Sequence, residues 1–187
     1  ATRDLTGRAG VEAVMRELSR LAEASLDLAA SVCDAALRLR YGTPWAEGIG
    51  GGREEAAFAV IGMGKLGAEE LNFSSDVDLL YVYSSSRGET GGGATGESLS
   101  LHAYYVKLAE QVTRAIGEVT GDGFVFRVDL GLRPDGNRGQ LANSIAAHEV
   151  YYASWGETWE RSALLRARFV AGSPRVAEEF SRAIAPI

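Results

Sequence analysis

The sequence predicts an α+β fold: a few short strands flanked by helices, with helical segments at both ends. Three observations carry this. Residues 11–40 repeat apolar side chains mostly three and four apart, the spacing of an amphipathic helix. Phe58 to Tyr83 runs from an apolar segment through a glycine turn and a polar stretch into a second apolar segment. Phe124 to Pro134 alternates polar and apolar residues, the spacing of a third strand that the proline ends.

The elements follow in chain order. Val11, Val14, Met15, Leu18, Leu21, Leu26, Leu28, Val32, Leu37 and Leu39 mark the apolar face of the first helix, which Tyr41-Gly-Thr-Pro44 terminates. A glycine-rich loop, Gly48 to Gly52, leads to a strand over Ala56–Ile61. Gly62-Met-Gly64 is the turn, Lys65–Leu71 allows one or two helical turns, and Val77–Tyr83 is the second strand. Ser84–Gly96 is rich in Ser and Gly without periodicity and reads as a mobile loop. Ser98–Val119 is a second amphipathic helix. From Ser144, a helix cap, the chain reads as helical to its end, with a break near Gly172-Ser-Pro174. The expected division is 1–55 as a helical lead-in, 56–140 as the core, and 141–187 as a helical segment completing the domain.

Composition narrows the function. With 187 residues, 46% hydrophobic and 24% charged, the chain can bury one ordinary core. A net charge of −6 argues against nucleic acid or an anionic membrane surface as partner. The single cysteine, Cys33, excludes an internal disulfide and a cysteine-based zinc site, and it reads as a buried structural thiol. No apolar run is long enough to cross a bilayer, and the first residues do not read as a signal peptide, so a cytoplasmic location is expected. The chain starts without Met and stops within a helical pattern, as an excised domain of a longer protein, or a trimmed small protein, would.

Asp76 and Asp78 are the chemical centre of the sequence. Residues i and i+2 of a strand share a face, so the two carboxylates project together. They can then reach one pair of metal ions roughly 3.5–4 Å apart. Asp129, inside the third apolar segment, is the candidate third ligand, because an acid there is costly unless paired or coordinating. Three carboxylates with water and phosphate oxygens suit Mg²⁺. Gly62 and Gly64 let backbone N–H groups approach phosphate. Lys65, one of two lysines in the chain, supplies a point charge there. Ser74 and Ser75 can donate to phosphate or a ligand hydroxyl, and Arg133 lies on the Asp129 face. A purely structural reading has Asp76 capping a turn, Asp78 solvated and Asp129 paired with an arginine. Arg161, Arg166 and Arg168, on a late helix, each allow a phosphate contact but suit surface ion pairs better. His102 and His148 suit structural roles, and Trp155 and Trp159 a packed helix pair.

Three ordered motifs carry a family resemblance. They are Gly62-Met-Gly-Lys-Leu-Gly67 continued by Glu70-Leu-Asn-Phe-Ser-Ser-Asp-Val-Asp-Leu79; Phe126-Arg-Val-Asp-Leu-Gly-Leu-Arg-Pro-Asp-Gly136; and Tyr151-Tyr152 with Trp159-Glu-Arg-Ser-Ala-Leu164 and Arg166-Ala-Arg168. Together they resemble the bacterial glutamine synthetase adenylyltransferases, over roughly Ala56–Gly172. The resemblance implies a nucleotidyltransferase fold of the polymerase-β type, with a small mixed sheet flanked by helices. It implies metal-dependent chemistry with two Mg²⁺ ions, or Mn²⁺, held by Asp76, Asp78 and Asp129. The implied partners are glutamine synthetase, ATP or ADP, inorganic phosphate and, through the full-length protein, a PII signalling protein.

The Leu71–Ser75 and Tyr151–Arg161 wording resembles the half that removes AMP from glutamine synthetase by phosphorolysis, releasing ADP. The half that adds AMP from ATP stays open, as does an idle module that binds nucleotide or a regulator. The sequence departs from the family pattern at Gly131, where Arg is usual, and at Ala68-Glu69, where Gly-Arg is common. These departures bear on substrate affinity and leave the three acids in place.

Overall fold

The computed structural model describes residues 6–7, 10–48 and 51–187. Ile49 and Gly50 of the expected glycine-rich loop lie outside the described residues.

Helix α1 spans Val11–Tyr41 and buries Ser19, Ala22, Leu26, Ala30, Leu37 and Tyr41. The expected apolar face is corrected here. Val11, Leu21, Leu28, Val32 and Leu39 are exposed, while small residues fill much of the buried stripe. Ala and Ser let a helix backbone approach its neighbours closely, which a row of leucines would prevent. Cys33 is half-buried and packs against the main core. Gly42, at φ 84, ends the helix and donates its N–H to the Arg38 carbonyl.

A first small sheet then forms from β1 (Pro44–Glu47), β2 (Arg53–Glu55) and β5 (Gly88–Thr90), antiparallel in the order β2-β1-β5. The mobile loop expected over Ser84–Gly96 therefore contains a paired strand. Its three residues are too few to show a period in the sequence.

The central sheet contains β3 (Phe58–Gly62), β4 (Val77–Tyr83), β6 (Val128–Asp129), β7 (Ala142–Ser144) and β8 (Arg168–Gly172). Its order is β6-β4-β3-β8, with β7 pairing the far end of β4. β3 runs antiparallel to β4 and β8, whereas β6 and β7 run parallel to β4, so the sheet is mixed. Two expectations are corrected. The third strand is two residues long rather than the span from Phe124 to Pro134, and Phe124 and Val125 are exposed. The chain after Ser144 is not all helix: Arg168–Gly172 is an outer strand on β3. An apolar run of this length has no period that separates strand from helix; the free edge of β3 decides it.

Helices cover both faces. α2 (Gly64–Gly67) is a single turn after β3, and α3 spans Leu101–Gly117 behind the Ser100 cap. α4 (Ile145–Ser154) starts at Ser144, whose side chain accepts from Ala147 N–H as the sequence predicts. α5 (Thr158–Leu164) and α6 (Pro174–Ile184) complete the chain. Alternation along β3 and β4 splits the core into two layers. Phe58, Val60, Leu79, Tyr81 and Tyr83 join the α1–α3 layer. Ala59, Ile61, Leu80 and Val82 join Val176, Ala177 and Phe180 of α6. The α+β arrangement, a mixed sheet flanked by helices, is the one expected.

Candidate active site

The site lies where β3 ends and where β4 and β6 begin. Asp78 is the second residue of β4 and Asp129 the second residue of β6, and the two are register partners. Adjacent parallel strands thus present two carboxylate residues side by side. Asp76 immediately precedes β4. Burial pushes the Asp78 carboxyl above its ordinary range, the negative charges of Asp129 and Asp76 push it further, and Lys65 pulls the other way. Three acids and one lysine therefore share an electrostatic neighbourhood.

The chain around each acid is specialised. Met63 N–H donates to the Asp78 carbonyl at 2.8 Å, holding the turn against β4. Gly64 has φ 52, and a β-carbon there would meet Asp78 Oδ2 at 2.6 Å. It is thus required both for its backbone conformation and for the room it leaves the carboxylate. Gly62 is buried, and a β-carbon on it would collide with Val170 and Leu66, so its small size serves packing. Lys65 is exposed. Asn72 Oδ1 accepts from Ser74 N–H at 3.2 Å and from Ser75 Oγ at 3.0 Å, folding the 72–75 loop on itself.

Asp129 accepts from Gly131 N–H at 2.7 Å and is exposed. Asp76 accepts from Arg127 Nε at 2.5 Å, and the same guanidinium donates to the Ser74 carbonyl at 2.6 Å. Arg133 Nη1 donates to the Leu130 carbonyl at 2.7 Å, and its Nε to the Gly139 carbonyl at 3.3 Å, bracing the loop after β6.

Among the described residues, no three His, Cys, Asp or Glu side chains already converge closely enough to hold a metal ion. Asp76 is engaged by Arg127, and Asp129 by its own turn. The donor set nevertheless fits a hard divalent cation: it is all carboxylate oxygen, and its members repel one another at Asp78.

The chain is similar to known proteins over nearly its whole length. The sequence profile of the glutamate-ammonia ligase adenylyltransferase family matches residues 1–183. The chain belongs to the glutamate-ammonia ligase adenylyltransferase family. It is 41% identical over its whole length to the bifunctional glutamine synthetase adenylyltransferase/adenylyl-removing enzyme of Burkholderia pseudomallei (strain K96243) and covers 20% of that protein. It is 46% identical over 91% of its length to the protein of the same name from Nitrosococcus oceani, covering 17% of it. Against the Pseudomonas aeruginosa protein it is 42% identical over 98% of its length and covers 18%. The chain thus spans about a fifth of the length of these curated relatives.

The two departures from the adenylyltransferase pattern have visible surroundings. A β-carbon at Gly131 would lie 3.0 Å from Asp129 Oδ1, so a side chain there would press on the carboxylate. Glu69 occupies left-handed backbone at φ 59, immediately after the α2 turn. The ion pair expected of Arg168 forms with Glu23. Its guanidinium donates to the Gly67 carbonyl at 3.0 Å, to the Leu66 carbonyl at 2.9 Å and to Glu23 Oε1 at 2.6 Å, tying α1 and α2 to β8. It lies on a strand, which corrects the helical placement. Arg166 pairs with Glu70 at 3.1 Å, and Arg161 Nε donates to the Gly156 carbonyl. Trp155 and Trp159 are exposed, 76% and 56%, which corrects the expectation of a packed pair. His102 bonds the Tyr83 hydroxyl, and His148 is buried between Tyr152 and Phe180. Among the described residues no helix is long and apolar enough to cross a membrane.

Proposed function

We propose that this chain is the catalytic unit of a cytoplasmic, metal-dependent nucleotidyltransferase that removes AMP from the adenylylated tyrosine of glutamine synthetase by phosphorolysis. The register pairing of Asp78 with Asp129, with Asp76 just before the strand, is the observation that carries it. Membership of the adenylyltransferase family supports nucleotidyl transfer as the reaction class. The Leu71–Ser75 and Tyr151–Arg161 wording supports the removing direction. Segment 56–140 then carries the catalytic groups, with α1 and α4–α6 packing around it and β7 and β8 completing its sheet.

Asp76, Asp78 and Asp129 would hold Mg²⁺ (or Mn²⁺), which would supply charge neutralisation at the AMP phosphorus. Gly64 keeps the turn clear of the Asp78 carboxylate, and Lys65 adds positive charge at the same place. Ser74 and Ser75 lie on the loop that precedes Asp76, and their hydroxyls would turn from Asn72 Oδ1 to donate to phosphate oxygens. Arg133 braces the loop that follows Asp129 and offers a phosphate contact at its edge.

In removal, an oxygen of inorganic phosphate forms a bond to the AMP phosphorus while the bond to the tyrosine oxygen breaks. Phosphate is largely ionised at neutral pH and needs no strong base. The departing phenolate, with an ordinary pKa of about 10, takes the proton that the attacking hydrogen phosphate gives up. In the adding direction the tyrosine must lose that proton, and Asp129, the most exposed of the three acids, is the candidate base.

The deciding experiment incubates the chain with adenylylated glutamine synthetase, Mg²⁺ and inorganic phosphate and measures ADP. Phosphate-dependent ADP release is expected. Transfer of label from ATP to unmodified glutamine synthetase, without ADP release, would assign the opposite half. Nucleotide binding with neither turnover would leave a binding module.

A further inference from the structure

Arg127 holds the site together in a way the proposed chemistry must undo. Its guanidinium bonds Asp76 Oδ1 at 2.5 Å and the Ser74 carbonyl at 2.6 Å, and its backbone carbonyl accepts from Val77 N–H at 2.8 Å. It therefore fixes both the loop before β4 and the first acid of the site. Yet the pair is open to solvent, with side chains 58% and 44% exposed. An exposed ion pair of this kind is weak and screened by salt, so its partners can exchange.

Charge counting says what happens when they do. Asp76, Asp78 and Asp129 contribute up to three negative charges, and Arg127 and Lys65 two positive ones. A divalent cation among the carboxylates makes the guanidinium surplus to the acids. The long Arg127 side chain already lines a shallow groove with Thr113, Arg114, Gly117, Glu118 and Val128. Two guanidiniums against the single carboxylate of Glu118 leave the groove net positive, which suits phosphate oxygens that the planar fork of Arg binds in bidentate fashion.

We propose that Arg127 is the counter-cation of Asp76 in the metal-free protein and becomes a phosphate-positioning residue when a divalent cation takes its place. This rests on the nucleotidyltransferase reading of the site. Arg127 thus competes with the cation for Asp76 and cooperates with the nucleotide. A residue that only braced the loop would do neither, since its loss would weaken both ligands together.

The test is a pair of binding measurements on the chain and its Arg127→Gln and Arg127→Lys variants, with thermal melts to verify folding. Mn²⁺ binding without nucleotide is read by electron paramagnetic resonance. ADP binding at saturating Mn²⁺ is read by calorimetry. Arg127→Gln is expected to bind Mn²⁺ about two- to fivefold more tightly, the scale of an exposed ion pair. The same variant should bind ADP roughly tenfold more weakly, the scale of a lost charged hydrogen bond. Arg127→Lys should fall between, and it decides the sign if Arg127→Gln does not fold. Unchanged or weaker Mn²⁺ binding, or unchanged ADP binding, overturns the proposal while leaving the site reading intact. Absence of Mn²⁺ binding in the parent chain overturns the site reading itself, and the proposal with it.

Discussion

Asp78 and Asp129 stand directly across from each other on parallel strands, Asp78↔Asp129, one residue pair beyond Val77↔Val128. Like charges in register oppose strand pairing. Here they occupy the edge of the central sheet beside a third carboxylate, and the Asp78 carboxyl is pushed above its usual range by burial and by both neighbours. On the proposed function, the arrangement serves catalysis at the expense of stability. Asp78→Asn should abolish phosphate-dependent ADP release while raising the melting temperature in metal-free buffer. A lower melting temperature would mean that Asp78 supports the fold and would weaken its reading as a metal ligand.

Gly64 separates backbone from carboxylate. At φ 52 any other residue is strained by about 1–2 kcal/mol, and a β-carbon would also sit 2.6 Å from Asp78 Oδ2. Gly64→Ala should therefore destabilise the chain by at least that strain and displace Asp78. Chemical denaturation and the ADP assay, run together, should both show loss. A fully active, undiminished variant would remove Gly64 from the site.

Glu69 carries the same kind of strain without the benefit of being glycine, at φ 59. Glu69→Gly should stabilise the chain by up to about 1 kcal/mol, because glycine adopts left-handed backbone readily but adds entropy to the unfolded state. Urea titration measures it. Destabilisation would show that the Glu69 side chain makes a contribution larger than the strain.

His148 sets a pH limit on stability. It is buried against Tyr152 and Phe180. Neither ring nitrogen forms a geometrically sound hydrogen bond, although the nearby Tyr81 backbone partly offsets the burial. Burial pushes its pKa down from 6.5 to about 4. The unfolded chain therefore takes up a proton below 6.5 that the folded chain refuses. Stability at neutral pH is unaffected and falls as pH drops from 6.5 towards 4, by on the order of 3 kcal/mol over that window. Asp78, raised rather than lowered, contributes in the opposite sense. The difference between parent and His148→Phe in urea midpoints at pH 7 and pH 5 isolates the histidine. Equal pH dependence in both proteins would refute the assignment.

Much of this was legible in the sequence. Helix α1, strand β4 and the Ser144 cap follow from periodicity and local hydrogen-bonding chemistry, which need no distant partner. The Asp-x-Asp spacing, the glycine turn and the three ordered motifs identified the family and nominated Asp76, Asp78 and Asp129. The limits are as specific. Which face of α1 is buried depended on what it packs against, so Ala22 and Ala30 went inside and Leu28 and Leu39 did not. β8 and the short β1, β2, β5 and β7 exist because neighbouring backbones complete their hydrogen bonds, and three to five residues carry no readable period. The pairing of Asp78 with Asp129 joins residues that no local pattern relates. The clasp of Arg127 on Asp76 and Ser74 is likewise a product of folding, because it depends on β6 docking parallel to β4. Sequence alone nominated Asp76, Asp78, Asp129 and Lys65 as candidates; tertiary structure decided which of them meet and added Arg127, because register and ion pairing across a sheet are set by long-range backbone hydrogen bonds.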